Sequence, residues 1–182
     1  DVVVAHAARQ LRRPVRWTSQ RLEEFTASVH GRDQLQQAAI ALDAEGRVLA
    51  LQVRTQANVG AYATPTGCMI PLVVGPWVLT SVYDIPQVAL HASAVTTHTT
   101  PVGAYRGAGR PESIYLIERL LEAAARKMGM DGAELRRRNM VRPEQMPYRN
   151  ALGQTYDSGR FAQILDQGLA LADWAGFEAR AA

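Results

Sequence analysis

Apolar and polar positions alternate roughly along Gln34–Leu42 and again along Arg47–Val59, with Asp43-Ala44-Glu45-Gly46 between the two runs. Alternation sends successive side chains to opposite faces, so the pair predicts a β-hairpin with a glycine-containing connection. A third alternating run, Gln87–Thr97, predicts another strand, and Val15-Arg16-Trp17-Thr18, just after Pro14, predicts a short one. The period then changes. Ile114, Ile117, Leu120, Leu121, Ala124 and Met128 recur at helical spacing, with Pro111 suited to the first helical position and Gly129 closing the segment. Asp131 and Glu134 read as a capping pair for a second helix to about Arg138. Phe161, Ile164, Leu165, Leu169 and Ala172 give the stripe of a last helix, with Asp157 or Ser158 as its cap. Residues 1–12 predict a short helix with Arg9, Arg12 and Arg13 at its basic end. Arg21–His30 reads as a loop or a short turn, Pro143–Gly153 as a loop, and Gly60–Pro76 as irregular structure or a short helix. Strands come before helices without regular βαβ alternation, so the expected class is α+β.

Composition narrows the function classes. The 182 residues are 47% hydrophobic and 20% charged, enough to bury a core and unlike a disordered chain. A single cysteine excludes a disulfide framework and a multi-cysteine metal site within this chain. A net charge of +3 spread along the sequence gives no case for nucleic acid. No apolar run approaches the roughly 20 residues of a membrane span, and no secretory pattern opens the chain, so a cytoplasmic protein is expected. The chain opens within an apolar run after Asp1, and Trp174–Ala182 follow a helical pattern without a Gly or Pro stop. Both ends lead us to expect a piece of a longer subunit.

The most informative segment is the loop from Gly103 to Arg110, containing Tyr105, Arg106, Gly107, Ala108 and Gly109 and feeding directly into Pro111 and Glu112. Glycines allow positive φ and bring backbone N–H groups near a ligand, a following helix adds positive potential, and two guanidiniums add forked donors. That combination suits an anionic ligand. A tight turn carrying two solvated arginines is the other reading of the same residues. A dinucleotide fingerprint does not fit, because Glu112 stands where G-x-G-x-x-G needs its third glycine. His6, His30, His91 and His98 lack zinc-site spacing, Cys68 lacks a recognisable base, and no G-x-S-x-G elbow is present. Glu23-Glu24 would point apart on an extended chain, and Arg136-Arg137-Arg138 reads as a solvated helix end.

Ala104-Tyr105-Arg106-Gly107-Ala108-Gly109-Arg110 resembles the active-site loop of the molybdenum hydroxylases, the xanthine dehydrogenase, aldehyde oxidase and aerobic carbon monoxide dehydrogenase large-chain family. The similarity extends over nearly the whole chain, in order. It includes Val15-Arg16-Trp17 with Arg21-x-Glu23, Asn58-x-Gly60-Ala61-Tyr62, Tyr83-Asp84-Ile85-Pro86, and Pro111-Glu112 through Arg138-Asn139-Met140. The resemblance implies that residues 1–182 are part of a molybdopterin-binding domain, truncated at both ends. It implies a molybdenum–molybdopterin dinucleotide held with help from Tyr105, Arg106, Gly107, Ala108, Gly109 and Arg110, none of which ligates the metal directly. Ala108 would lie beside the substrate, where xanthine-oxidising members carry a phenylalanine, and the family's purine-binding arginine would fall near Val74. Gly107 occupies the place of the copper-bridging cysteine of true carbon monoxide dehydrogenases. The general-base glutamate is expected outside the chain. The implied partners are a small-molecule substrate and iron–sulfur and FAD-carrying subunits or domains, without nucleic acid or a membrane span. The implied activity oxidises an aldehyde or N-heteroaromatic C–H with water as the oxygen source. A phosphate- or nucleotide-binding module using Gly103–Arg110, and a non-catalytic subunit-docking piece, are the alternatives.

Overall fold

The two alternating runs form β1 (Gln34–Leu42) and β2 (Val48–Gly60), antiparallel neighbours with Gln34 opposite Ala57 and Ile40 opposite Leu51. They belong to a computed structural model that describes residues 2–181; Asp1 and Ala182, the outer ends of the expected first helix and of the C-terminal stretch, lie outside the described residues. The hairpin turn is built as its residue types require. Asp43 Oδ1 accepts from the amides of Glu45 at 3.1 Å and Arg47 at 2.7 Å, and Gly46 takes φ +84°. The third run forms β3 (Val88–Thr96), which joins the other edge of β2 in parallel, Leu51 beside Val88. The sheet order is therefore β1-β2-β3.

Because β3 is parallel to β2, the chain must cross back between them. It does so through Gly60–Pro76, where irregular structure or a short helix was expected. Here α3 (Pro65–Met69) continues through a π-helical turn (Ile70–Val74) into the single turn α4 (Gly75–Trp77). Pro71 and Pro76 lie in the π turn and α4 and have no N–H to give the ladder, and the amide of Gly75 reaches back to the carbonyl of Ile70.

The predicted long helix is α5 (Arg110–Met128), ended by Gly129 at φ +65°, and α6 (Gly132–Asn139) follows with Asp131 accepting from the Glu134 amide at 2.8 Å. Val48, Leu51 and Val53 of β2 pack against Leu116, Ile117, Leu121 and Ala125 of α5, with Leu79, Tyr83, Ile85 and Leu135 completing the core. The buried stripe is rotated from the expected one, since Ile114 is exposed and Leu116 and Ala125 are inside.

Asn139 ties the hairpin to the helices. Its Oδ1 accepts from the Val48 amide at 2.8 Å, and its Nδ2 donates to Gly46 O at 2.8 Å and Leu135 O at 2.9 Å. The neighbouring arginines are not merely solvated, contrary to expectation. Arg136 pairs with Glu118 and Glu122 of α5, Arg138 pairs with Glu134 and donates to Glu45 O, and Arg137 pairs with Glu134 and Asp166.

Other expectations are corrected. Val15–Thr18 forms no strand, because no neighbouring strand offers it a ladder and Trp17 is largely exposed. Arg21–His30 is not a loop: α1 (Val2–Leu11) is followed by α2 (Arg21–Ala27), whose N-terminus is closed by a Gln20–Glu23 capping box. Glu23 and Glu24 are thus helical neighbours. The region expected to be loop at 143–153 contains a 3-10 turn (Pro143–Gln145) and β4 (Tyr148–Arg149), which pairs with β5 (Thr155–Tyr156). The last long helix, α7 (Phe161–Leu171), starts after Arg160 without a side-chain cap, because Ser158 donates to Asp157 instead. None of its residues is fully buried: Phe161, Leu165 and Leu169 are half-buried, Phe161 edge-on to Tyr156, while Ile164 and Leu171 are exposed. A 3-10 turn (Trp174–Gly176) and α8 (Phe177–Ala181) follow. No helix among the described residues is long and apolar enough to cross a membrane.

Candidate functional site

The glycine loop is held between three neighbours. On its N-terminal side, the Gly103 amide donates to His30 O at 2.8 Å and the Val102 amide to Val59 O at 3.1 Å, so the loop, which follows β3, is anchored beside the end of β2. Asn58 reinforces that end. Its side chain donates to Asp33 at 2.7 Å and Thr99 at 3.0 Å and accepts from Thr97 and the Gly60 amide, which places the Asn58-x-Gly60 motif in a structural role.

The bend itself is made by consecutive left-handed residues: Gly107 at φ +94°, Ala108 at +43° and Gly109 at +88°. Two tight turns close within it, Ala108 N to Tyr105 O at 2.8 Å and Arg110 N to Gly107 O at 3.1 Å. A β-carbon on Gly107 would sit 2.6 Å from Pro111 Cγ, and one on Gly109 would sit 2.9 Å from both the amide nitrogen and Cα of Gly75. Both positions therefore require glycine, for space as well as for φ. Ser113 of α5 completes the clamp, donating to Gly75 O at 2.7 Å. The loop and the first turn of α5 thus sit on the π turn, an irregularity frequent at functional sites.

Arg106 and Arg110 are exposed, and neither enters a salt bridge among the described residues. Arg110 makes one long contact, 3.4 Å to Gly107 O. The amides of Arg106 and Gly107 donate to no acceptor among the described residues. Two uncommitted guanidiniums and unmet backbone donors on an exposed bend at the start of a 19-residue helix form a cationic donor set. Such a set fits phosphate and oxo oxygens.

The six expected residues do not line one cavity. Tyr105, Ala108 and Gly109 face a narrow cleft shared with Arg32, Asn58 and Glu112. Arg110 instead borders a groove of about 400 Å³ with Ile114, Tyr156 and Phe161. Arg106 and Gly107 lie exposed between them. The bend is therefore an exposed ridge, with a cleft that holds little more than about one water molecule at Ala108 and an open groove at Arg110.

Sequence reasoning missed Arg32. Its guanidinium lies 4.5 Å from the Tyr105 ring centroid, donates to Arg106 O, and approaches Glu112 Oε2 at 3.9 Å. It acts 74 positions away along the chain, and the only local signal is the preceding Gly31, where a β-carbon would strike Tyr105 Cβ at 2.9 Å. Gly75 was equally silent. The histidines do not converge, and among the described residues no group of three or more His, Cys, Asp or Glu is placed to hold a metal. Cys68 is half-buried.

A family of molybdopterin cofactor-binding domains matches residues 1–140. Subunit gamma of the 6-hydroxypseudooxynicotine dehydrogenase complex of Paenarthrobacter nicotinovorans is 34% identical over 184 residues, covering 96% of this chain and 22% of that protein. The carbon monoxide dehydrogenase large chain of Hydrogenophaga pseudoflava is 35% identical, covering 94% of this chain and 22% of its own. The crystal structure of quinoline 2-oxidoreductase from Pseudomonas putida 86 superposes with a TM-score of 0.93 at 37% identity, covering 98% of this chain and 23% of that one. The chain spans about a fifth of the length of these relatives. It belongs to the molybdopterin cofactor-binding domain family of molybdenum hydroxylase large subunits.

Proposed function

We propose that residues 1–182 are one part of the large subunit of a molybdenum hydroxylase, and that the Tyr105–Arg110 ridge binds its molybdopterin cofactor. The observation that carries this reading is the pair of uncommitted guanidiniums, Arg106 and Arg110, flanking a left-handed bend at the N-terminus of α5. The dinucleotide form of the cofactor would supply the long anionic ligand that such a ridge and the open groove beside Arg110 suit. Arg106, with the amides of Arg106 and Gly107, binds and orients oxygens at the crest. Arg110 neutralises charge on the side of the Tyr156–Phe161 groove. Ala108 sets only a methyl group beside the substrate.

When bound, the cofactor supplies two-electron oxidation of a C–H carbon with water as the oxygen source. The complete enzyme takes an aldehyde or N-heteroaromatic substrate and releases two protons and two electrons. Iron–sulfur and flavin subunits or domains receive the electrons. We place the general base on a glutamate outside this chain; among the described residues, Glu112 beside the bend turns inward to Arg32. Two features support a heteroaromatic or aldehyde substrate over a purine or carbon monoxide. Ala108 offers no ring for stacking, and Gly107 has no room for a side chain in this backbone. Quinoline 2-oxidoreductase is 37% identical and the carbon monoxide dehydrogenase large chain 35%, so the residues at 107 and 108 carry the choice of substrate rather than the relatives' names.

The test is to purify the full-length subunit with its partners and measure bound molybdenum, pterin and the nucleotide released on hydrolysis, then turnover on quinoline-type heterocycles, aldehydes, xanthine and carbon monoxide. The reading expects a stoichiometric pterin dinucleotide and turnover on the first two classes. A subunit that binds free ATP or NAD and carries no pterin would replace it with the nucleotide-binding alternative.

A further inference from the structure

The narrow cleft beside the bend contains a charged arrangement that the cofactor reading does not use. Glu112, in the first turn of α5, is nearly buried, and its Oε2 has no hydrogen-bond donor. Its ionic partner is Arg32, 3.9 Å away. Arg32 itself takes φ +68°, an uncommon backbone for a residue with a long side chain, and follows Gly31, whose lack of a β-carbon lets the strand entrance press against Tyr105. From there one guanidinium touches both ends of the bend. It stacks on Tyr105 and donates to the Arg106 carbonyl at the start, and it meets Glu112 at the end. A β-carbon on Gly107 would lie 3.6 Å from its Nη2.

The hydrogen bonds internal to the bend, 105 to 108 and 107 to 110, set its curvature but not the plane of the Arg106 peptide. That plane holds the Arg106 carbonyl and the Gly107 N–H together, so it decides where the Gly107 amide points. We propose that Arg32 is the positioning residue of the glycine bend: by stacking on Tyr105, holding the Arg106 carbonyl and pairing with Glu112, it fixes the direction in which the Gly107 N–H, next to the Arg106 side chain, meets the cofactor. This rests on the reading of the bend as cofactor-binding. Planarity is the property used, since a guanidinium lies flat on a ring and donates in fixed directions from its edge, whereas an ammonium has no flat face and no fixed fork of donors.

The test uses the full-length subunit in its complete enzyme with Arg32→Met and Arg32→Lys. Four quantities are read: molybdenum per subunit, KM and kcat per bound molybdenum, thermal midpoint, and amide exchange of residues 105–110. Arg32→Met is expected to lower kcat per molybdenum about tenfold with KM changed less than about threefold, and to speed exchange at the Ala108 and Arg110 amides. Arg32→Lys restores the midpoint but not kcat, whereas a merely structural cation would be replaced fully by lysine. Should Arg32→Met fail to fold, Arg32→Met with Glu112→Gln removes the stranded carboxylate and carries the same expectation. Wild-type kcat and exchange in Arg32→Met, or full recovery by lysine, would overturn the proposal. If the wild-type enzyme contains no molybdenum, the functional reading falls, and amide exchange alone still decides whether Arg32 holds the bend.

Discussion

Gly109 and Gly75, 34 positions apart, meet backbone to backbone: a β-carbon on Gly109 would lie 2.9 Å from the Gly75 nitrogen and Cα and 3.1 Å from Ile70 O. The contact joins the bend that starts α5 to the π turn on which it rests, and Ser113 seals it from the other side. Neither partner is a flexible side chain, so a methyl group there must displace the main chain.

Replacing Gly109 with alanine therefore combines a left-handed strain with a backbone clash. The expected cost is at least about 2 kcal/mol, with the bend rather than the sheet disrupted. Urea unfolding followed by tryptophan fluorescence, with amide exchange across 103–113, checks it. Alanine at Gly129, which also has positive φ but open space around it, should cost only the backbone strain, about 1 kcal/mol.

Asn139 makes a second prediction. Its amide satisfies the Val48 amide and the Gly46 and Leu135 carbonyls from a buried position. Asn139→Ala leaves these buried groups without their partner and should cost about 2–4 kcal/mol. The lost order should be confined to the hairpin turn and α6, read as faster exchange at Gly46–Val48 than in the middle of β2.

The pH response has opposite signs at the two ends of the scale. Burial, reinforced by donation to Glu118 at 2.6 Å, holds the Tyr83 hydroxyl well above its ordinary value of 10.0. The unfolded chain ionises this group first, so the stability it confers is present below pH 10 and is lost as pH rises beyond it. Tyr83→Phe should flatten that alkaline loss in unfolding measurements between pH 9 and about 11. Asp131 and Glu134 are held below their ordinary values, Asp131 chiefly by the Glu134 amide and Glu134 by Arg138 and then Arg137. Their contribution is present above the unfolded values of 3.8 and 4.5 and disappears as pH falls through the folded ones. Asp131 is exposed and Glu134 half-exposed, so the acid effect should be small and weakened by salt.

The parts of the fold governed by local pattern were legible. Alternation located β1, β2 and β3, and the Asp131–Glu134 pair and Gly129 located the ends of α5 and α6. What failed depended on partners far along the chain. Val15–Thr18 has strand-like residues and nothing to pair with, and Gly60–Pro76 hid a crossover because three prolines and little periodicity mask a helix that changes to a π turn. In Arg21–Ala27 the capping signal was Gln20 with Glu23, but adjacent glutamates obscured it. The bend was readable from its glycines, yet Arg32, Glu112 and Gly75 acquire their roles only through tertiary contact.

The central claim is that Arg106 binds the cofactor rather than supporting the fold. The most direct measurement is molybdenum and pterin per subunit in the complete enzyme carrying Arg106→Ala, beside the thermal midpoint of the same sample. The side chain makes no ion pair here, so the midpoint should stay within about 1 °C of wild type while occupancy falls at least about threefold. Full occupancy in that variant, or a loss of occupancy that merely follows a lowered midpoint, would contradict the account.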